Sequence, residues 1–245
     1  DFPIQWRQFA KSQGYVCGYI GLNPLFVNDT HVNPDELHAY NSLYVLDLTL
    51  TEHELFANLS LNRKRQIRSG LTRSHEFIFD RGATRAFFLA HCAAFFRGKM
   101  ASTDYNFSTD TLSFLFGLDN LLAIGVQGPH GLEAAIVFAY TEHAAEYLFN
   151  ISLPGGRHHA ANLLWCGVKH LKSLKIPLLN LGGGVRENDS ITEFKRRFGP
   201  KQLSLTCLKQ VYDSATYGRL CLQMHVDPKD MTGYFPPYRQ GAKSL

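Results

Sequence analysis

Three consecutive runs of β-forming residues, joined by short turns, constrain the fold of this chain more than any other feature of its sequence. They read LLAIGVQG (121–128), LEAAIVFAY (132–140) and EYLFNISL (146–153). Adjacent runs of this kind pair with one another, so the sequence predicts an antiparallel meander. Around the meander, the residue patterns predict helices at 84–100, 109–118, 159–176, 190–199 and 214–224 and strands at 75–80, 177–184 and 203–212. A mixed α+β fold follows, with a largely antiparallel sheet flanked by helices.

The first 74 residues have a different pattern. Two strands are predicted, at 15–22 and 41–50, with a long loop between them that is punctuated by Asn and Pro. A short helix from Glu52 to Leu59 follows, with Thr51 as its N-cap. We therefore expect a small N-terminal lobe over residues 1–74, which ends in a basic connecting segment, and a main domain over residues 75–245.

Composition restricts the class of protein. The chain has 245 residues, of which 45% are hydrophobic and 19% charged, and this balance is typical of a globular protein. No apolar run approaches the roughly 18 residues needed to cross a bilayer. The five cysteines lack metal-ligand spacing, which predicts reduced thiols, no metal site and a cytoplasmic protein. The net charge of +4 suits an anionic ligand without requiring a nucleic acid.

The segment SITEFKRRFG (190–199) carries three cations in a short predicted helix. Ser190 and Glu193 match the capping-box pattern, and Gly199 followed by Pro ends the helix. Ile191, Phe194 and Phe198 are spaced as one apolar stripe. The residues themselves leave two interpretations of Lys195, Arg196 and Arg197 open: a solvated face, or a group that holds an anion.

Three other segments could bind anions. LGGG (181–184) places three glycines after a strand, where they allow close approach to the backbone or form a plain turn. The loop SLPGGRHH (152–159) leads into a helix N-terminus, which favours anions. The charged residues of the segment LNRKRQIRSGLTR (61–73) are all positive. Such a segment forms either a solvated surface or a phosphate-binding one. No aromatic residue interleaves that basic segment, so base stacking there is unsupported.

Taken together and in order, these segments resemble a known family. The stretch 147–199 combines a strand, a loop, an N-x-L-L-W helix, a strand that ends in Gly-Gly, and F-K-x-x-F-G. It resembles the second half of the FemABX-like branch of the GNAT acyltransferase superfamily. LSLNRKRQIRSG (59–70) is similar to the branch's basic segment, and GYIGLNPLF (18–26) to its early strand. The resemblance implies a complete C-terminal GNAT-like domain and an abbreviated N-terminal GNAT-like lobe.

The same resemblance implies an N-acyltransferase. Such an enzyme moves an aminoacyl or acetyl group from an activated donor to an amine acceptor, such as a cell-wall or polysaccharide precursor or another small or nucleotide-linked molecule. The resemblance leaves two donors open, aminoacyl-tRNA and acetyl-CoA. Either would be a co-substrate, and no bound cofactor is expected. GRHHAA (156–161) departs from the acetyl-CoA loop Q/R-x-x-G-x-G/A at two positions. Gly156 stands where that loop has Gln or Arg, and His159 stands where it has Gly. The alternative is a non-catalytic module that binds an anionic ligand.

Residue roles follow from the resemblance alone. Lys195 and Phe194 are the expected catalytic residues, with Lys195 stabilising negative charge. The expected donor- and substrate-binding residues are Gly182, Gly183, Gly184, Arg186, Asn150, Ser152, Arg63, Arg65 and Arg68. No general base stands out, and Asp104, Tyr105 and Glu133 are the only groups considered for that role.

Overall fold

A computed structural model describes residues 2–25, 32–72, 77–99, 105–184 and 189–240. The helices of these ranges are α1 (Phe2–Ser12), α2 (Glu52–Asn58), α3 (Leu61–Thr72), α4 (Arg81–Gly98), α5 (Thr109–Gly117), α6 (Ala160–Ser173), α7 (Ser190–Arg196) and α8 (Ser214–Gln223). The strands are β1 (Cys17–Leu22), β2 (Leu37–Asp47), β3 (Phe77–Ile78), β4 (Leu121–Gly128), β5 (Gly131–Tyr140), β6 (Ala145–Ser152), β7 (Leu178–Asn180) and β8 (Lys201–Val211). Short 3₁₀ helices lie at Pro34–Glu36, Arg157–His159 and Pro237–Arg239. The mixed α+β class is confirmed.

The chain divides into two compact units. The smaller unit comprises Asp1–Ser42 and Leu203–Leu245, and the larger one comprises Leu43–Gln202. These limits differ from the predicted boundary at residue 74/75, which stays a prediction. Among the described residues, no helix combines the length and the apolar character that a membrane crossing requires.

The meander forms the centre of the larger unit. Its strand order is β2-β7-β6-β5-β4-β3, and β4, β5 and β6 pair antiparallel as predicted. Successive residues of β5 alternate between two hydrophobic clusters, since Ala134, Ile136 and Phe138 lie in one and Ala135 and Val137 in the other. The sheet therefore buries both faces, one under α2, α3, α6 and α7 and the other under α4 and α5.

One strand pair of this sheet is parallel and short. β6 pairs with β7 at Ala145–Leu179 and Glu146–Asn180. The sequence predicted β7 over 177–184, but the strand ends at Asn180, whose side-chain Oδ1 accepts a hydrogen bond from Gly182 N at 2.8 Å. Gly182 has a φ of +74°, so the chain turns there. The two strands consequently separate beyond this point, and the glycine segment follows β7 directly.

The smaller unit contains α1, β1, β8, α8 and the first part of β2. α1 was missing from the predicted elements. The indole Nε1 of Trp6 donates to Tyr212 Oη at 2.9 Å and to Gln210 Oε1 at 3.2 Å, and Arg7 pairs with Glu36. The two Trp6 bonds join α1 to residues more than 200 positions away, and such contacts are not visible in the local sequence pattern.

Candidate active site

Helix α7 begins one residue earlier than the capping-box pattern suggested. Asp189 is the N-cap, and its Oδ1 accepts a hydrogen bond from Thr192 N at 2.7 Å. The expected box of Ser190 and Glu193 is wrong, because the Asp189 carboxylate makes the stronger, charge-assisted bond. Glu193 instead pairs with Arg197, with 2.9 Å between Oε1 and Nε. Gly199 has a φ of +68°, as expected for the residue that ends the helix.

The inner face of α7 differs from the predicted apolar stripe. Thr192, Lys195 and Phe198 are buried, whereas Ile191 is 44% exposed. The predicted stripe of Ile191, Phe194 and Phe198 is therefore wrong at its first member. A lysine occupies the centre of the inner face of a helix only seven residues long. Such a buried cation costs free energy unless it is well bound, so it marks a functional candidate.

Lys195 reaches the glycine segment that follows β7. Its Nζ donates to the Gly183 carbonyl oxygen at 2.5 Å and lies 6.0 Å from the centre of the Tyr147 ring on β6. A β-carbon on Gly182 would come within 3.2 Å of this Nζ, so glycine leaves space for the ammonium group. Burial lowers the pKa of Lys195 to about 8, and the negative charge of Asp189 partly opposes this shift. The ammonium group thus lies at the point where β6 and β7 separate.

Arg63 on α3 contacts the C-terminal half of α7. Its guanidinium carbon lies 4.5 Å from the Phe194 ring centre and 4.4 Å from that of Phe198. Nη2 donates to the Phe194 carbonyl oxygen at 3.1 Å, and Nη1 donates to Gln66 Oε1 at 2.7 Å. Arg63 is only 3% exposed, and its Nε has no hydrogen-bond partner among the described residues. Burial, and then the nearby Arg197, lower its pKa to about 10.

A cavity of about 390 Å³ lies between α3, α7 and the start of α6. Three arginines contribute to its wall: Arg63, Arg157 and Arg197. The remaining lining residues are Gln66, His158, Ala160, Ala161, Ser190, Glu193 and Phe194. Helix α6 has no side-chain hydrogen bond at its N-cap and no acid in its first turn. The cavity therefore combines three guanidinium groups, one of them paired with the Glu193 carboxylate, with the positive end of a helix, and this excess of positive charge favours anions.

The loop before α6 departs from the acetyl-CoA pattern for a structural reason. A β-carbon on Gly156 would lie 2.2 Å from the Glu133 carbonyl oxygen, so no side chain fits at this position. His159 adopts an ordinary helical conformation with φ −81° and is buried, so it does not need to be glycine. The loop packs against β5, and Arg157 and His158 are its residues that line the cavity.

Comparison with known proteins identifies the fold. No protein-family model and no curated protein matches the chain. Among solved structures, FemX superposes with a TM-score of 0.65 at 10% identity, over 89% of this chain and 77% of that one. The C-terminal domain of a putative lysylphosphatidylglycerol synthetase from Agrobacterium fabrum gives 0.61 at 15% identity, over 91% and 78%. The chain has a FemABX-like GNAT fold. L-PGS from Bacillus licheniformis gives 0.56 at 13% identity, over 84% and 71%.

Within this FemABX-like fold, the residues predicted for the site are not all brought together. Lys195, Gly182 and Gly183 meet at the end of β7, and Phe194 and Arg63 line the cavity. Their roles stay predictions.

Other predicted residues lie elsewhere. Arg65 and Arg68 are exposed on α3, and Arg68 packs over the Phe56 ring at 5.2 Å instead of lining the cavity. Ser152 lies on β6 opposite Ala134. Gly184 is half-buried after Gly183, and Arg186 lies outside the described residues.

The groups considered as general base are equally dispersed. Tyr105 stacks on Phe96, with ring centres 5.0 Å apart, in the cluster on the α4 side of the sheet, opposite to α7. Glu133 lies on β5 under the Gly155–Gly156 turn. Asp104 lies outside the described residues. None of the described candidates contacts Lys195.

Arg157 and Arg197 line the cavity, although neither was among the binding residues expected from the sequence. The signal for Arg197 was its i, i+4 spacing from Glu193, which turns both toward one side of α7. Arg157 is the first residue of the 3₁₀ helix that leads into α6, and helix starts of this kind favour anions. Arg196 is exposed, with its guanidinium 5.8 Å from the Tyr44 ring centre.

Proposed function

We propose that the chain is an N-acyltransferase that moves an acyl group from a phosphate-containing activated donor to an amine acceptor. The observation that carries the proposal is the double role of helix α7. It buries the Lys195 ammonium group where β6 and β7 separate, and it lines the arginine cavity with Phe194 and Arg197. Such a helix can place the reacting carbonyl and the donor's phosphates in one site.

The chemistry assigned to Lys195 is electrostatic. Attack of an amine on an ester or thioester carbonyl generates an oxyanion, and a fixed cation in a water-poor site stabilises that charge most effectively. Lys195 is fixed by the Gly183 carbonyl oxygen and is 6% exposed. With a pKa of about 8, it is mostly protonated at neutral pH and can therefore act in this way.

The arginine cavity is assigned to the donor's phosphate groups. Arg63, Arg157 and Arg197 line the cavity with planar guanidinium groups, which suit phosphate oxygens. Aminoacyl-tRNA and acetyl-CoA both carry phosphate, which lies close to the acyl ester in the RNA and at the far end of the pantetheine arm in acetyl-CoA. We favour the RNA ester, because the loop at Gly156 and His159 lacks the pattern of an acetyl-CoA loop. FemX and the lysylphosphatidylglycerol synthetases share the fold, which is compatible with this choice.

The test measures donor binding and transfer separately. Calorimetry with acetyl-CoA and with the 3′-alanyl ester of AMP identifies the donor, and hydroxamate formation from hydroxylamine reports transfer. We expect Arg157→Ala and Arg197→Ala each to weaken donor binding about tenfold, which corresponds to the loss of one charge-assisted contact. Arg85→Ala is the matched control, because Arg85 bonds Ser113 on the α4 side of the sheet.

Each outcome has a distinct meaning. Binding of a donor that the two cavity variants weaken, together with hydroxamate formation, supports the proposal. Binding without transfer to any amine would instead indicate the alternative, a module that recognises an anionic ligand on this fold. Equal weakening by Arg85→Ala and by the cavity variants would show that the donor does not bind in the cavity.

A further inference from the structure

One carboxylate lies in the wall of the arginine cavity. Among the described residues that line the cavity, Glu193 is the only acid, and it lies there with Arg63, Arg157 and Arg197. Its Oε1 accepts a hydrogen bond from Arg197 Nε at 2.9 Å, a bond that uses neither Nη group of the arginine. The Glu193 side chain is 52% exposed, so its charge is not shielded by burial. A ligand in the cavity therefore lies beside this carboxylate as well as beside the cations.

The wall at the start of α6 adds no negative charge. Four of the lining residues belong to this wall: Arg157, His158, Ala160 and Ala161. Asn150 on β6 supports it, because Asn150 Nδ2 donates to the Ala160 carbonyl oxygen at 3.4 Å. Glu133 lies beneath the Gly155–Gly156 turn and is not part of the lining. Among the described lining residues, negative charge thus comes from Glu193 alone.

A carboxylate among arginines changes which anions the cavity prefers. Burial, and then the charge of Arg197, lower the pKa of Arg63, so at least two of the cations lie close together. Glu193 offsets one of the three positive charges and repels a bound anion in proportion to the charge of that anion. At about 6 Å in a water-like medium, one unit charge changes a binding constant about threefold. The penalty is therefore small for a ligand with one negative charge and large for a polyanion.

We infer that Glu193 is a specificity-determining residue, which selects a donor whose phosphate in the cavity is a singly charged phosphodiester. This inference rests on the proposed acyl transfer and deepens it. The 3′ end of an RNA offers such a phosphate, whereas the pyrophosphate and 3′-phosphate of acetyl-CoA together carry about four negative charges. Glu193 disfavours the second class, as a like charge placed in a binding site disfavours a wrong partner.

Glu193 acts on binding and not on the reacting carbonyl. Lys195 lies on the buried side of α7, whereas Glu193 lies on its exposed side, in the cavity wall. Replacement of Glu193 by glutamine keeps an oxygen that can accept the bond from Arg197 and removes only the charge. The variant Glu193→Gln should therefore change which phosphates bind and leave the transfer step intact.

The test compares two probes that share adenosine 5′-phosphate and differ in charge. The dinucleotide CpA carries one negative charge on its phosphodiester, and ADP carries about three. Calorimetry at low salt and without magnesium ions measures the affinity of both probes for wild type and for Glu193→Gln. We expect the variant to bind CpA about threefold more tightly than wild type and ADP at least about tenfold more tightly, because the gain multiplies with each ligand charge. The difference between the probes should narrow as salt is raised.

Glu142→Gln is the matched control, because it removes the same charge from an exposed turn between β5 and β6, outside the cavity lining. Both of its affinities should stay within about twofold of wild type. An equal gain for the two probes in Glu193→Gln would overturn the selection by charge. Weaker binding of both probes would overturn it too, because Glu193 would then only orient Arg197. No binding of either probe, or binding that Arg157→Ala leaves unchanged, would likewise overturn the inference.

Transfer of alanine from the 3′-alanyl ester of AMP to hydroxylamine, measured on the same proteins, separates this inference from the proposed function. We expect kcat of Glu193→Gln to stay within about twofold of wild type. Transfer by wild type without any change of phosphate preference in the variant would overturn the role of Glu193 and leave the proposed function standing. Absence of transfer by wild type from this ester and from acetyl-CoA would overturn the proposed function, and with it the selection of a donor by Glu193.

Discussion

At the scale of single residues, the side chains of the motif FKRRFG (194–199) make different kinds of contact. Phe194 and Phe198 enclose the Arg63 guanidinium, and Lys195 points inward to the Gly183 carbonyl oxygen. Arg197 pairs with Glu193 and lines the cavity. Adjacent cations that look alike in the sequence thus differ completely in burial, because consecutive helix positions are rotated by about 100°.

The buried charge of Lys195 predicts that stability and activity change in opposite directions, both when the pH rises and when the lysine is replaced. Its pKa falls from 10.5 to about 8 on folding, so the folded state binds fewer protons than the unfolded state between those pH values. Stability therefore rises with pH across this window, and below it the buried charge costs up to about 3 kcal/mol. We expect Lys195→Met to abolish transfer and, after loss of the Gly183 bond, to raise the free energy of unfolding at pH 7 by about 1–2 kcal/mol.

Urea unfolding of Lys195→Met at pH 7 measures the change in the free energy of unfolding. The pH–rate profile of the wild type shows how activity depends on protonation of Lys195. Activity should fall as the pH rises through about 8, where Lys195 loses its proton. Loss of an ordinary structural hydrogen bond costs about 1 kcal/mol. If Lys195→Met were less stable than wild type by about that amount or more, Lys195 would be a structural residue. Arg196→Met, at an exposed position of the same helix, should leave both stability and activity near wild type.

At the scale of elements, close packing at its C-terminal end fixes α7. Ser60 N donates to the Arg197 carbonyl oxygen at 3.0 Å, and a β-carbon on Gly199 would lie 2.3 Å from the Asn58 carbonyl oxygen. These contacts join the end of α7 to the last residue of α2 and to the loop between α2 and α3. Together with Arg63, they hold a helix of seven residues that is too short to be stable alone.

A matched pair of glycines tests this close approach. Gly14 and Gly199 both have positive φ values, +71° and +68°, but a β-carbon on Gly14 would meet nothing within 4 Å. Gly14→Ala should therefore cost only the conformational penalty, about 1–2 kcal/mol. Gly199→Ala should cost about 1–3 kcal/mol more, because the backbone at Asn58 must move. Equal losses in urea unfolding would mean that α7 does not lie tightly on that loop.

The elements also show what the sequence could predict. The meander β4–β6 and helix α6 have long apolar patterns, and those patterns identified them correctly. Helix α7 spans only two turns, so its spacing did not determine which face is buried, and an inward lysine contradicts the apolar rule. Arg63 resembles a solvated cation in the sequence, because the rings that enclose it lie 131 and 135 positions away. The cavity likewise combines segments that are remote in the chain.

At the scale of the whole molecule, the cavity and Lys195 lie within one of the two compact units. All the residues that line the cavity, together with Lys195, belong to Leu43–Gln202. The smaller unit has a buried polar network of its own, in which Trp6, Gln210 and Tyr212 are bonded to each other and Gln210 Nε2 donates to Glu36 Oε2 at 2.6 Å. Substitutions in that network should therefore act on stability and leave donor affinity alone.

The tryptophans allow a direct test, since the chain has two, and Trp6 and Trp165 belong to different units. Trp6→Phe removes the indole donor to Gln210 and Tyr212 and leaves their oxygens without this donor. We expect it to lower the free energy of unfolding by about 1–3 kcal/mol, measured by circular dichroism during urea unfolding. Donor affinity, followed by calorimetry, should stay within about twofold of wild type, because a distant site contributes additively. A tenfold loss of affinity with the larger unit still folded, as the remaining Trp165 fluorescence would report, would show that the smaller unit takes part in donor binding.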